Sequence, residues 1–329
     1  MNKLKVFKNV FGKRTESGFS VKNLGTVLLL LLLVPYIITS LFGNASGGNT
    51  VQEKERMLEE QLREGGLFVI NQTALGREEI PLEIYVADVL ARTMEPGYEA
   101  EALKAQAVLI RTNLVPEGDE DIAVADEEYG NGGARAECLR AVSETRGIYL
   151  EYEGKPVYGA YFLVSNGNTR EAGEVLGTGT YPYLTQVSCE KDYLSDQYLH
   201  RVEYSLEEFE KIWERTGAKS DAEIEKALGE EEREEMAGMI VLRDSAGYGR
   251  YLRYGEKWVS CEELRYALCL PSSDFEIKSD AGRLIFTVKG SGHGLGMSQF
   301  GANELALEGW DYGKILNYFF QGVSFTKME

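Results

Sequence analysis

One stretch of this chain is dense in groups that could do chemistry: Gly290-Ser291-Gly292-His293-Gly294-Leu295-Gly296-Met297-Ser298-Gln299-Phe300-Gly301-Ala302. Five glycines surround a histidine and run straight into an amphipathic helical pattern. Glycine admits positive φ and close backbone approach. Free N–H groups at a helix start can bind an anion or a sugar oxygen. The Lys-Ser/Thr pair of a phosphate loop and a G-x-G-x-x-G turn after a strand are both missing, which argues against a nucleotide. His293 is one of two histidines, the other being His200. A lone histidine is usually structural, but its glycine cradle favours a functional role. His293, Ser298 and Gln299 are therefore candidate ligand-binding residues.

A second set lies in Glu101-Ala102-Leu103-Lys104-Ala105-Gln106-Ala107-Val108-Leu109-Ile110-Arg111-Thr112. Lys104, Gln106 and Arg111 are polar among small apolar residues. Lys104 and Arg111 are seven apart and share a helix face. That face is either a solvated surface or a place to fix a substrate carboxylate or hydroxyl. A third set, Ser165-Asn166-Gly167-Asn168-Thr169, follows a strand and reads on its own as a turn. No Ser-His-Asp order or metal-ligand set stands out, and neither cofactor nor metal is expected.

The elements that must position these groups mix helices with antiparallel strands and lack a βαβ rhythm, so the fold class is α+β. Apolar residues at 82, 86, 89 and 90 predict an amphipathic helix opened by Pro81 and stopped at Met94-Glu95-Pro96-Gly97. A second helix is expected over 100–113, antiparallel to the first, then a loop over 115–135. Strands are expected at 67–70, 147–152, 156–164 (with 147–152 a hairpin), 239–243, 249–254 and 275–288. Further helices are expected over 205–236, 260–268 and 303–319. The acidic run Glu230–Glu235 reads as a solvated face.

Four cysteines, at 138, 189, 261 and 269, form no C-x-x-C pair. Their spacing specifies neither a zinc ribbon nor a disulfide pattern. The 329 residues are 43% hydrophobic and 27% charged, as in a packed globular protein. The net charge of −18 argues against non-specific nucleic-acid binding, which needs a basic surface. Residues 1–22 run against this trend, with Lys3, Lys5, Lys8, Lys13, Arg14 and Lys22 against Glu16. Leu24 to Phe42 follows as 19 uncharged residues. As a helix it is about 28 Å long, enough to cross a bilayer. The basic flank places the N-terminus in the cytoplasm and the rest outside. The expected organisation is a basic tail (1–22), a membrane anchor (23–43), a stalk (44–78) and an extracytoplasmic domain (79–329). A cleaved signal peptide leaving near Ala45 is the competing reading.

Five strings in fixed order then carry a resemblance: PLEIYVADVLARTMEPGYEAEALKAQAVLIRT, SNGNT, SAGYGRYL, VSCEELRYALCLPSSDFEI and GHGLGMSQFGANELALEGWDYGKILNYFFQG. Together they span roughly residues 80–325, and the chain resembles the stage II sporulation protein D family with its related amidase-enhancer proteins. The resemblance implies a membrane-anchored protein acting on peptidoglycan glycan strands, denuded of stem peptides, in sporulation. It implies lytic transglycosylase chemistry. One glutamic acid protonates the leaving oxygen between N-acetylmuramic acid and N-acetylglucosamine, and the muramyl C6 hydroxyl attacks C1. One carboxyl group can serve both proton transfers. Lys104, Gln106, Arg111, Ser165, Thr169, His293, Ser298 and Gln299 become candidate glycan-binding residues.

The sequence departs from the family at the acid. The family glutamate stands eleven residues before the lysine of ALKAQA, and here that position is Thr93. Glu95 is the nearest carboxylate. A continued helix would turn it about 200° from Thr93, although a turn shortened at Pro96 could bring it back. The family's H-S-T-S-G-G-x-T reads Phe162-Leu163-Val164-Ser165-Asn166-Gly167-Asn168-Thr169. Its histidine is gone, and with it support for the zinc seen in some relatives. Two outcomes follow: Glu95 is the catalytic acid, or the domain is a silent glycan-binding scaffold or stimulator of another wall hydrolase.

Overall fold

A computed structural model describes residues 48–64, 66–115, 121–130, 135–220 and 232–328. The basic tail and the expected anchor lie outside the described residues. Within them, no helix is long and apolar enough to cross a membrane. The described residues fall into two units divided between Met57 and Leu58. In the first, the described residues begin the helix Gly48–Arg63.

The second unit is α+β, and two large hydrophobic cores and one small one stand among its described residues. The first core gathers around the helices Leu82–Thr93 and Ala100–Thr112, which pack on each other and on Ala136–Glu144. Ala100–Thr112 is buried on nearly all sides, with Leu103, Val108 and Leu109 in the core. Each such side chain contributes about 1.5–3 kcal/mol. Its small alanines let neighbouring helices approach closely. The hairpin Phe68–Thr73/Gly76–Pro81 also joins this core through Val69 and Ile80. The end of the expected stalk is thus part of the domain. The loop over 115–135 contributes a short strand, Ile122–Val124, parallel to Phe68–Thr73.

Arg111 lies at the centre of the first core and is fully buried. Its Nε and Nη2 donate to the Glu83 carboxylate at 3.0 and 2.6 Å, and Nη1 donates to the Ile148 carbonyl at 2.9 Å. Glu83 also accepts from the Gly147 N–H at 3.0 Å. One ion pair therefore ties both helices to the start of the strand Ile148–Tyr152. This corrects the expectation that Arg111 faces a ligand: it has no exposed surface.

The second core lies between residues 199 and 289, where Phe209, Val241, Leu252, Phe275 and Phe286 meet. The chain leaves at Tyr198 and returns at Gly290, whose N–H donates to the Tyr198 carbonyl at 2.7 Å. Here the expected helix over 205–236 is corrected. Ser205 and Glu208 form a reciprocal capping box, but the helix stops at Trp213. Residues 219–220 are strand, and Glu232–Met236 is an edge strand antiparallel to Met239–Arg243. Its charges suit an edge, where they oppose pairing with another chain. Residues 221–231 lie outside the described residues.

Three other differences have local causes. The stretch 275–288 is two strands, Asp274–Asp280 and Arg283–Lys289, turned at Ala281-Gly282, both with positive φ. The helix expected over 303–319 is two, Gln299–Leu307 and Tyr312–Phe319, separated at Gly309 with φ +87°. The 156–164 strand shrinks to Lys155–Pro156, beside Ile148–Tyr152, and Tyr161–Phe162, which pairs in parallel with Met297–Ser298. Cys138, Cys189 and Cys261 are buried free thiols, and Cys269 is exposed and free.

The Glu83–Arg111 pair yields a stability prediction. Removing one partner strands a buried charge, which costs about 3–5 kcal/mol, whereas an apolar pair of similar volume is often tolerated. Arg111→Met should lower stability by that amount in urea unfolding, and Glu83→Leu/Arg111→Met should recover most of it. Equal losses in the single and double variants would contradict the account.

Candidate functional site

The glycine-rich segment reaches its place through buried contacts. Gly294 has φ +79°, and a Cβ there would lie 2.8 Å from Arg170 Cδ and 2.9 Å from Tyr248 Cζ. The backbone therefore packs directly on the Arg170 side chain. The Arg170 N–H donates to the Gly294 carbonyl at 2.8 Å, and its Nη1 donates to the His293 carbonyl at 3.2 Å. The segment then enters the helix Gln299–Leu307. Ser298 is its N-cap, accepting from the Gly301 N–H and donating to Asp192 Oδ2 at 2.7 Å.

His293 is half-buried and its tautomer is fixed. The Leu295 N–H donates to Nδ1 at 3.1 Å, which leaves the proton on Nε2 and the Tyr161 backbone as its partner. Its ring lies 5.7 Å from that of Phe162. Burial holds the imidazole below its ordinary range, partly offset by Glu262.

Gln299 carries this segment to the helix pair. Its Nε2 donates to the Thr93 carbonyl at 3.0 Å and lies 3.4 Å from Gln106 Oε1. Gln106 is fully buried, and its own Nε2 has no partner among the described residues. Thr93 is the last residue of its helix, and its hydroxyl donates to the Val89 carbonyl at 2.8 Å. The Tyr161 side chain reaches Thr93, and burial pushes its phenol up. Thr93, Gln106, Tyr161 and Gln299 thus meet in one place, with His293 bound to the backbone of the same Tyr161.

The turn after Thr93 is pinned on three sides. Gln299 holds the Thr93 carbonyl, Arg135 Nη2 donates to the Met94 carbonyl at 3.0 Å, and Asn303 Oδ1 accepts from the Glu99 N–H at 2.7 Å. Glu95 is exposed on this turn. Its charge acts on Tyr98, whose phenol is pushed up by burial and then by Glu95, Asp192 and Asp196.

The other candidates lie elsewhere or serve the backbone. Lys104 is engaged by Glu101 at 2.7 Å and Glu144 at 2.6 Å, apart from Arg111. Ser165 is fully buried; its N–H donates to Asp192 Oδ2 at 2.7 Å, and its Oγ accepts from the Gly167 N–H. Thr169 is fully buried, donating to the Thr185 carbonyl and accepting from the Val187 N–H. Sequence reasoning missed Asp192, fully buried, which joins Ser165 to Ser298. Burial pushes its carboxyl up, against hydrogen bonds from Ser298 and Ser165. It also missed Tyr161, which lies in the expected strand 156–164, where a tyrosine reads as packing. Among the described residues, no group of three or more His, Cys, Asp or Glu side chains is placed to hold a metal ion.

Comparison with known proteins then gives a consistent result. The family described as Stage II sporulation protein matches residues 71–152, which include Thr93, Gln106 and Arg111. Stage II sporulation protein D of Bacillus amyloliquefaciens is 29% identical over 93% of this chain and 95% of that protein. Its namesake from Bacillus subtilis (strain 168) is 27% identical with the same coverage. The amidase enhancer of Bacillus subtilis (strain 168) is 26% identical over 72% of this chain and 40% of that protein.

The half-buried, neutral His293 sets a pH dependence. An unfolded chain takes up a proton on this side chain near pH 6.5, whereas the folded chain resists it. Its contribution to stability is therefore present above about pH 6.5 and is lost on acidification. Buried Asp192, Asp244 and Asp274, pushed up chiefly by burial, act in the opposite sense at lower pH, so the readout is the difference between two proteins. Between pH 7.5 and 5.5, wild type should lose more stability than His293→Gln, by up to about 1.4 kcal/mol per pH unit. A steeper loss in the variant would mean that the folded imidazole is charged.

Proposed function

Because the chain belongs to the stage II sporulation protein D family, we propose that it binds peptidoglycan glycan strands at the Thr93 site during sporulation. On this reading it does not cut them, and it stimulates a separate wall hydrolase. Thr93 carries the choice between binding and cutting. A threonine hydroxyl cannot protonate a leaving glycosidic oxygen at neutral pH, and this one already donates to its own helix at Val89. Beside it stands the Tyr161 phenol, a group suited to hydroxyl and N-acetyl oxygens, while the Gln299 amide holds the Thr93 carbonyl and the buried Gln106 backs the site. The amidase-enhancer name of one relative supports a partner hydrolase.

A second reading keeps the lytic transglycosylase activity and assigns the acid to Glu95. It draws on the exposure of Glu95 beside Tyr98. Against it stands the pinned turn, since a general acid must reach within about 3 Å of the scissile oxygen.

Digestion of denuded glycan strands by the full chain, with mass spectrometry for 1,6-anhydro-muramyl ends, separates the two readings. Wild type should release no such ends while co-sedimenting with the strands. Thr93→Glu, with its carboxyl beside the Tyr161 phenol, should raise them above background. If wild type does release them and Glu95→Gln lowers turnover by at least ~100-fold, the usual scale for a lost general acid, the second reading holds.

The same proposal places the protein in the cell membrane with a single pass through residues 24–42 and its C-terminal domain outside. Membrane fractionation with N-terminal sequencing should find the intact chain in the pellet. A soluble product beginning near Ala45 would contradict this.

A further inference from the structure

A cleft of about 550 Å³ opens at the C-terminal end of the helix Ala100–Thr112, between residues 152–158 and 179–183. Four tyrosines line it: Tyr152, Tyr158, Tyr181 and Tyr183. Their rings form a connected series. Centroids are 5.4 Å apart for Tyr152 and Tyr183, 6.1 Å for Tyr181 and Tyr183, and 5.7 Å for Tyr158 and Tyr181. Tyr158 is 49% exposed, unusually open for an aromatic held within such a series.

The backbone that carries Tyr158 is fixed before any ligand arrives. Asn113 Oδ1 accepts from the Gly159 N–H at 2.8 Å, and its Nδ2 donates to the Gly159 carbonyl at 3.0 Å. Glycine fits closely there, since a Cβ would sit 3.0 Å from the Leu109 carbonyl oxygen. The Tyr158 N–H donates to the Tyr183 hydroxyl at 2.7 Å. These clamps leave the hydroxyls of Tyr152, Tyr158 and Tyr181 without hydrogen-bond partners among the described residues.

Rigid aromatic faces bordered by free phenol groups match a pyranose ring, which has apolar C–H faces and a rim of hydroxyls. Glu153 and Lys155 at the edge offset each other, so the cleft does not select a charged ligand. Its volume lies within the range of small-molecule sites. The cleft and the Thr93 site share a chain segment and a helix. Tyr158 is three residues before Tyr161, which reaches Thr93, and Tyr158 and Tyr161 influence each other electrostatically. Thr112 lies six residues beyond Gln106 on the same helix, a rise of about 9 Å.

We propose that this tyrosine cleft is a saccharide subsite, stacking a pyranose ring of the glycan strand beyond the part held at Thr93. The proposal rests on the glycan-binding reading above and adds where the neighbouring sugar sits and which side chains hold it.

The test is calorimetric titration of the full chain with a chitin tetrasaccharide, with unfolding midpoints checked for every variant. Wild type should bind, and Tyr158→Ala and Tyr181→Ala should each weaken binding by about 10-fold with midpoints kept. Tyr158→Trp, which retains a stacking face, should bind within about 3-fold of wild type. Binding by wild type that is unchanged in both alanine variants overturns the subsite and leaves the glycan reading standing. No binding by wild type overturns both. A sugar-free stem tetrapeptide whose binding is lost in Tyr158→Ala, while tetrasaccharide binding is not, assigns the cleft to peptide and overturns the proposal.

Discussion

Arg170 is the side chain on which the arrangement of this domain turns. It is 1% exposed, yet it carries a permanent charge. Such a group is tolerated only with close partners. Asp244 meets it at 2.6 Å and Glu262 at 2.8 Å, while Tyr248 lies under the guanidinium at 5.0 Å. Asp244, Tyr248 and Glu262 belong to the lobe that houses the second core. The His293 and Gly294 contacts belong to the glycine segment. One buried cation therefore locks the inserted lobe, the glycine loop and the first core into a single geometry. Asn166 reinforces the junction, donating to the Ala246 carbonyl and to Asp274.

From that anchor the constraint passes outward to the site. A fixed glycine loop fixes the start of the helix Gln299–Leu307, and with it Gln299 and Asn303. These two residues grip the turn 93–99 at both ends. The turn cannot swing to exchange Thr93 for Glu95 without breaking those bonds and the one from Arg135. A substitution at one position thus has a chemical consequence that the surroundings do not undo. On the glycan-binding reading proposed above, the sugar chain is held there without a proton donor at position 93.

How much of this was legible in the sequence depended on how local the cause was. The helices over 82–93 and 100–112 could be read because apolar period, an opening proline and a Met-Glu-Pro-Gly stop agree. The capping motif at Ser205–Glu208 is equally local, but the glutamate-rich continuation favoured a helix that tertiary pairing overrides. Strand Glu232–Met236 exists because Met239–Arg243 offers it a partner, and pairing is not visible in propensity. Helical spacing puts Lys104 and Arg111 on one face, but spacing does not say which partner occupies it. Glu83, 28 residues earlier, decides that for Arg111. Ser165 and Thr169 read in sequence as polar residues in a turn, and their work is to satisfy buried backbone and, for Ser165, Asp192. The tyrosines of Thr180-Tyr181-Pro182-Tyr183 were readable as letters, but only the fold brings them opposite Tyr152 and Tyr158.

The central claim is that glycan is held where the acid would be, with no carboxylate placed to act. Its most direct test is a crystal structure of the chain with a bound peptidoglycan tetrasaccharide. The account predicts a glycosidic oxygen over Thr93, near Gln299 and Tyr161, with no carboxylate oxygen within hydrogen-bond reach of about 3.2 Å. A Glu95 carboxyl oxygen within that distance of the glycosidic oxygen would contradict it.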